Sequence, residues 1–100
     1  MTLRPITFNA QYPEGTWPVL GFGFDWGGHE FCIHPHPTLA HYLIVSHVDC
    51  GFKMMQMHTD DQHEIMEEAK HRLNHVGLLQ LDRAIASAKA MNPPRNVAPA

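Results

Sequence analysis

A chain of 100 residues with 44% hydrophobic and 17% charged residues has enough apolar material for one packed core and is too short for two. The formal net charge of -3, with nine histidines neutral, excludes the basic field that drives nonspecific binding to nucleic acid. Two cysteines are too few for a disulfide framework, and no apolar run approaches the roughly 18 residues needed to cross a bilayer. We therefore expect one cytoplasmic domain over residues 1–91, with no membrane partner and no direct nucleic-acid partner.

Alternating apolar residues predict an α+β fold whose first part is a four-stranded antiparallel meander sheet made of two hairpins. Leu20, Phe22 and Phe24 alternate with small residues, which predicts a strand with three large side chains on the covered face. A glycine-rich turn follows, and the alternation resumes over residues 29–34. A shorter alternation at residues 6–8 permits a brief additional strand at the edge.

The second predicted hairpin follows Pro35 and Pro37, which cannot continue a central strand because proline lacks the backbone donor. It consists of a strand over residues 42–48, a turn at residues 49–51 and a returning strand over residues 52–57.

A first helix is predicted to begin at Asp60. The hydroxyl of Thr59 can accept from the amide of Gln62 while the Gln62 side chain reaches back, which is the pattern of a capping box. Apolar residues at helical spacing continue to Val76, and Gly77 is placed to end the helix in a left-handed conformation.

A second, alanine-rich helix is predicted from Leu78 to about Met91. Two prolines after Asn92 stop it, and residues 92–100 are predicted to form a flexible C-terminal tail. Both helices are expected to pack on the sheet.

The nine histidines suggest metal binding, since neutral imidazole is a common metal ligand. The closest pairs are His34 with His36 and His71 with His75, whereas a site needs three or four converging ligands. Glu68 precedes His71 by three residues, as in one half of a dinuclear carboxylate site, but the motif occurs once. We therefore predict no metal and no cofactor, and keep a histidine-rich metal-binding domain or small metalloenzyme as the alternative function.

Cysteine chemistry is the other catalytic possibility. Cys50 lies beside Asp49 and close to His47, but ordinary hairpin turns contain such residues and no oxyanion-binding glycine loop accompanies the thiol. Cys32 is interpreted as a small buried apolar group. The sequence thus predicts no catalytic residue and no enzyme.

The start of the first helix is strongly acidic. The helix dipole favours carboxylates there, by a few tenths to about 1 kcal/mol each. Five exceed that need, and the surplus would complement a basic protein surface, with His71 and His75 making binding sensitive to pH. The predicted partner-binding carboxylates, called the acidic surface below, are Asp60, Asp61, Glu64, Glu67 and Glu68. A homodimer through an exposed strand or through Leu78, Leu79 and Leu81 is also possible.

Over residues 17–91 the layout of glycine turns at residues 25–28 and 49–51, followed by the Thr59-capped acidic helix, resembles small antidefence proteins of phages and mobile elements, such as anti-CRISPR proteins. The resemblance implies a non-enzymatic, stoichiometric inhibitor that occupies a basic, nucleic-acid-binding surface of a host protein complex. Proteins of that kind share no fold, so no functional residue is transferred by matching.

Overall fold

The computed structural model describes residues 3–12, 15–51 and 53–91, which form an antiparallel sheet of five strands followed by two helices. Neighbouring strands follow chain order, so the α+β class and the meander are confirmed, while the predicted number of four strands is wrong by one. The elements are β1 (Arg4–Tyr12), β2 (Gly15–Trp26), β3 (His29–Pro35), β4 (Tyr42–His47), β5 (Lys53–His58), α1 (Gln62–Val76) and α2 (Leu78–Met91).

The additional strand is β1, which is much longer than the alternation at residues 6–8 indicated. It pairs with β2 from Arg4 opposite Gly23 to Tyr12 opposite Gly15. The alternation in fact continues past residue 8, with Ile6, Phe8 and Ala10 alternating with Thr7 and Asn9, so the sequence carries a longer strand signal than the prediction used.

The sheet is covered on both faces. The main core lies under the helices and joins Phe24, Phe31 and Val45 to the apolar stripe of α1 and to Leu81 and Ile85 of α2. The opposite face carries a smaller cluster, in which β1 curls over the middle of the sheet. That cluster contains Phe8, Ala10 and Cys32, with Ile6, Val19 and Val48 packed against it.

Two glycines of β2 lie close to the neighbouring strands. A Cβ atom on Gly21 would lie 2.3 Å from the backbone oxygen of Ile33, and one on Gly23 would lie 2.9 Å from Cδ1 of Ile6. Real Cβ atoms do not approach backbone oxygens that closely. Gly21 therefore lets β2 approach the backbone of β3 closely, and Gly23 leaves room for the Ile6 side chain of β1.

The predicted facing of β2 is wrong in part. Phe24 is buried, but Leu20 on the same face is 68% exposed and Phe22 is 36% exposed, whereas the glycine face is the buried one. Helix α1 passes both ends of this part of β2: its Asn74 accepts from the indole of Trp26 at 3.2 Å, and its Gln62 lines a cleft with Leu20 and Phe22. The helix covers Phe24 but leaves Leu20 and Phe22 exposed.

Both predicted hairpin turns within the described residues are confirmed. Gly27 and Gly28, with φ of 58° and 81°, connect β2 to β3, and Gly51 has φ of 75° between β4 and β5. Such positive φ values suit glycine, which has no Cβ to clash.

The start of α1 differs from the predicted capping box. Asp61 is the N-cap, and its Oδ1 accepts from the amides of His63 at 2.9 Å and Glu64 at 3.2 Å. The Thr59 hydroxyl instead accepts from the amide of Asp61 at 3.0 Å, one residue before the predicted donor, Gln62. The carboxylate is the stronger acceptor for the free amides of the first turn, so the helix begins at Gln62.

Both helices end where predicted, although Gly77 has ψ of 155° and so lies outside the left-handed helical conformation that was expected. Gly77 has φ of 87° and donates to the oxygen of Leu73 at 2.8 Å, which closes α1, and α2 ends at Met91. The predicted tail at residues 92–100, the strand start at Phe52 and the centre of the first turn at residues 13–14 lie outside the described residues. Neither described helix is long and apolar enough to cross a membrane.

Candidate functional site

Two residues of the acidic surface are used in organising the start of α1. Asp61 is the N-cap described above, and Asp60 places Oδ2 at 2.7 Å from Nδ1 of His41 in the loop before β4. Both residues are nevertheless exposed. They remain available to solvent while holding local partners.

The later carboxylates lie along α1 and face the solvent. Glu67 pairs with Lys70 at 3.6 Å, and Glu68 pairs with Arg72 at 3.8 Å. Glu64 is exposed in the first turn. Four of the five acidic-surface carboxylates therefore have a partner in the chain, and the charge that they present is smaller than their number indicates.

The two histidines that were predicted beside the acidic surface lie further along the same helix. His71 and His75 are exposed, and their ring centroids are 6.3 Å apart, one helical turn from each other.

An apolar groove lies on the part of the sheet that the helices leave uncovered, and it was not predicted. A cleft of about 190 Å³ includes Leu20, Phe22, Pro35, Leu43 and Gln62 in its lining. It continues through Leu20 and Pro35 into a shallower cleft of about 460 Å³ lined also by Trp17, Pro18 and Pro37. We call these two clefts together the apolar groove.

The apolar groove adjoins the acidic surface. Gln62 is the first residue of α1, so Asp60 and Asp61 directly precede a residue that lines the groove. At the opposite end, Trp17 is 52% exposed. Large exposed apolar side chains therefore lie close in the fold to the acidic start of α1.

A second exposed apolar cluster lies where α1 meets α2. Leu78 and Leu79 are 46% and 68% exposed, and Val76 is 48% exposed. Leu81, which was predicted with them as a dimer contact, is 5% exposed and belongs to the main core.

A chain of hydrogen bonds joins four chemically active side chains that the sequence does not place together. Sγ of Cys50 lies 3.2 Å from Nδ1 of His47, and Nε2 of His47 lies 3.2 Å from Nδ1 of His29. Nε2 of His29 lies 2.7 Å from Oδ1 of Asp82. We call Cys50, His47, His29 and Asp82 the relay.

The four members of the relay come from four parts of the fold: β3, β4, the turn after β4, and α2. His47 ends β4, Cys50 lies in the turn that follows, and His29 opens β3 after the Gly27–Gly28 turn. The start of α2 packs on that turn, since a Cβ on Gly27 would lie 2.9 Å from Cδ1 of Leu78. Asp82 follows Leu78 by one helical turn and is therefore brought to His29.

The hydrogen bonds assign the protons of the relay. A carboxylate can only accept, so His29 carries its proton on Nε2, which leaves Nδ1 as an acceptor. The backbone amide of Cys50 donates to Nδ1 of His47 at 3.3 Å, so His47 also carries its proton on Nε2. Each ring then donates toward Asp82, and Nδ1 of His47 is free of a proton where it meets the thiol.

A closed polar pocket lies on the opposite face of the sheet, under β1. Nε2 of His34 lies 2.8 Å from the hydroxyl of Ser46, and the ring of Phe8 packs on the imidazole with centroids 5.4 Å apart. Burial lowers the pKa of His34 to about 4, and burial raises the pKa of the nearby Cys32 thiol to about 12. We call Phe8, Cys32, His34 and Ser46 the closed pocket.

The histidine pair at positions 34 and 36 does not converge on a common point. Nδ1 of His36 accepts from the amides of Thr38 at 3.1 Å and Leu39 at 3.0 Å, while His34 points into the closed pocket. Within residues 3–12, 15–51 and 53–91, no three histidine, cysteine, aspartate or glutamate side chains are grouped so that they could hold a metal ion.

Sequence reasoning considered one link of the relay and missed the other two. The His47–Cys50 spacing was noted and set aside, and it is the one local signal. His29 and Asp82 are separated by 53 positions and meet only because α2 packs on the β2–β3 turn.

Comparison with known proteins finds no match: no protein-family model, no curated protein and no solved structure is similar to this chain.

Proposed function

We propose that the protein is a non-enzymatic protein-binding module, and that a partner segment with basic and apolar side chains docks along the apolar groove and the acidic surface. The observation that carries the proposal is the exposure of Trp17 and Leu20, at 52% and 68%, on a groove that reaches Gln62 at the start of α1.

The apolar contribution favours a protein partner. Large contiguous apolar patches on a folded domain are uncommon unless something binds there. Covering Leu20 and Phe22 would remove apolar surface from water, at roughly 25 cal/mol for each Å² buried. A partner with apolar side chains at the correct spacing therefore gains affinity from the groove itself.

The charge contribution favours a basic partner. The chain carries a net charge of -3, and Asp60 and Asp61 directly precede Gln62, which lines the groove. The side-chain pairs at Glu67 and Glu68 are long and solvent-exposed, and such pairs contribute about 1 kcal/mol or less. An arginine of a partner can replace them with a shorter, bidentate contact.

Protein surfaces that bind nucleic acid are rich in lysine and arginine, and are therefore candidate partners for the acidic surface. A module that covers one would act as a stoichiometric inhibitor of a host protein complex, which is the role that the resemblance to antidefence proteins implies. The acidic surface would then compete with phosphate groups for the same lysines and arginines.

A matched pair of leucines tests the groove. Leu20 in the groove and Leu79 at the α1–α2 corner are both 68% exposed. Purified wild-type, Leu20→Asp and Leu79→Asp proteins are immobilised and used to select from a displayed library of random peptides. We expect wild type and Leu79→Asp to enrich the same peptides, rich in lysine or arginine and in large apolar residues, and Leu20→Asp to lose them.

Charge reversal tests the acidic surface with the same peptides. Glu64→Lys, Glu67→Lys and Glu68→Lys combined should weaken binding about tenfold and remove most of its dependence on salt, because the attraction is electrostatic.

Equal peptide binding by wild type and Leu20→Asp would remove the groove from the proposal. Equal affinity and salt dependence after charge reversal would remove the acidic surface.

A further inference from the structure

The relay connects a buried thiol to a carboxylate at the surface. Cys50 is 2% exposed, His29 has 20% of its side chain exposed, and Asp82 has 53% exposed. A proton that leaves the thiol can therefore travel to the protein surface without the thiol itself reaching water.

We propose that Cys50 is a reactive thiol whose proton is taken up by the relay, and that it is a site of oxidation by hydrogen peroxide to sulfenic acid. The proposal is independent of the docking surfaces, which no member of the relay lines.

The direction of the hydrogen bonds supports proton transfer away from sulfur. Nδ1 of His47 lacks a proton and faces the thiol, so it can act as the base. As His47 takes that proton it can pass its Nε2 proton to Nδ1 of His29. The two bonds reverse direction and neither is broken, and His29 becomes an imidazolium beside the Asp82 carboxylate.

The oxidation step balances with hydrogen peroxide as the co-reactant. The thiolate sulfur attacks one peroxide oxygen, the S–O bond forms and the O–O bond breaks. The leaving hydroxide takes the proton back from the relay and becomes water. Sulfur is oxidised by two electrons, peroxide is reduced by two, and the product is a sulfenic acid on Cys50.

The second cysteine lacks each of these features. Cys32 is fully buried in β3, between β2 and β4, and its thiol lies 3.8 Å from the backbone oxygen of Ile33, which cannot take a proton. Cys50 lies in the turn after β4, next to the exposed Asp49. A turn opens locally at a lower free-energy cost than a central strand, which admits a molecule as small as hydrogen peroxide.

The two cysteines provide an internal comparison for the test. The full chain is treated with hydrogen peroxide in the presence of a cyclic 1,3-diketone that traps sulfenic acid, and mass spectrometry follows the label on each cysteine with time. We expect Cys50 in the folded protein to be labelled at least about tenfold faster than Cys32, since a positioned base contributes about that much or more. In concentrated urea the two rates should converge.

Variants of the relay separate proton transfer from simple exposure. His29→Ala should slow labelling of Cys50 by about tenfold, and added imidazole should restore part of the rate by replacing the missing ring. Asp82→Asn should slow it by about threefold, because the imidazolium loses its counter-charge. These two residues position and support the base, so rescue by imidazole is a result that a purely structural role would not give.

Labelling of Cys32 reports on unfolding in the same sample. If His29→Ala loosens the fold, Cys32 accelerates, and the decision then rests on Asp82→Asn, whose side chain is largely at the surface. Equal rates for Cys50 and Cys32 in the folded wild type would overturn the proposal. An unchanged Cys50 rate in Asp82→Asn, with no rescue of His29→Ala by imidazole, would also overturn it.

Discussion

The closed pocket and the relay lie on opposite faces of one sheet, and each contains a buried cysteine and a buried histidine. They differ in the hydrogen-bond partner of that histidine. His34 and His47, on neighbouring strands, are each 1% exposed. The side-chain partner of His34 is Ser46, and no further link leads from that pocket to an exposed ionisable residue among the hydrogen bonds of the described residues. His47 is bonded to His29, which reaches Asp82 at the surface.

The two cysteines differ in the same way as the two histidines, by the partner that each one contacts. Burial without a base raises the pKa of Cys32 to about 12 and makes it an apolar side chain, as the sequence predicted. Cys50 is almost as deeply buried but faces an unprotonated ring nitrogen. Burial alone therefore does not determine the chemistry of a thiol in this fold, because the hydrogen-bond partner decides whether its proton has a destination.

The cover over the closed pocket is the feature whose loss should cost most. Phe8→Ala removes a fully buried ring that packs on His34, and it should lower the free energy of unfolding by about 3–5 kcal/mol. Phe22→Ala is the control, because Phe22 is 36% exposed and its removal should cost about 1 kcal/mol. Denaturation in urea measures both, and equal losses would show that β1 does not close the pocket as described.

The closed pocket should also make stability depend on pH. Above about pH 6.5 His34 is neutral in both the folded and the unfolded chain and contributes no slope. As the pH falls from 6.5 toward 4, the unfolded chain takes up a proton that the folded chain does not, so stability decreases and then levels off near the folded pKa of about 4.

The expected loss from His34 is on the order of 2 kcal/mol by pH 5, from the 1.36 kcal/mol that corresponds to each pH unit. Other groups titrate in the same range, so the measured quantity is the difference between wild type and His34→Gln. A difference that does not change between about pH 7.5 and pH 5 would mean that water reaches the imidazole.

The outer end of the relay should contribute least to stability. Asp82 is half exposed, and Asp82→Ala should lower the free energy of unfolding by about 1 kcal/mol or less. Thermal unfolding of wild type and variant side by side gives the value. A loss as large as that of Phe8→Ala would show that the relay is mainly a structural clamp between α2 and the sheet.

Local chemistry in the sequence predicts much of the fold. Glycine with positive φ marks the turn at Gly27 and the end of α1 at Gly77, and periodicity identifies both helices. The start of α1 was wrong by two residues because Thr59 and Asp61 can both accept from free amides, and only the geometry decides between them.

The tertiary arrangement could not be obtained in the same way. Alternation shows that Leu20 and Phe24 share a face of β2, but it does not show how far the helices extend over that face. The apolar groove exists because the helices cover Phe24 and leave Leu20 exposed. Similarly, the close approach of β2 to the backbone of β3 at Gly21 is a tertiary contact that no periodicity reveals.

The relay depends on contacts far apart in the chain. His47 and Cys50 are close in sequence, whereas Asp82 reaches His29 because Leu78 packs on the glycine turn. The histidine-rich composition kept a metal-binding domain as the alternative function, while the structure uses two of the nine histidines to connect a thiol with a carboxylate.

The positions of the ring protons test the relay most directly. Two-dimensional ¹H–¹⁵N correlation spectra of the histidine rings distinguish a proton on Nδ1 from one on Nε2, and substitution of each histidine assigns the signals. We predict that His29 and His47 are both neutral with the proton on Nε2 near neutral pH. A proton on Nδ1 of His47 would contradict the relay, because that nitrogen would then be unable to accept the proton of Cys50.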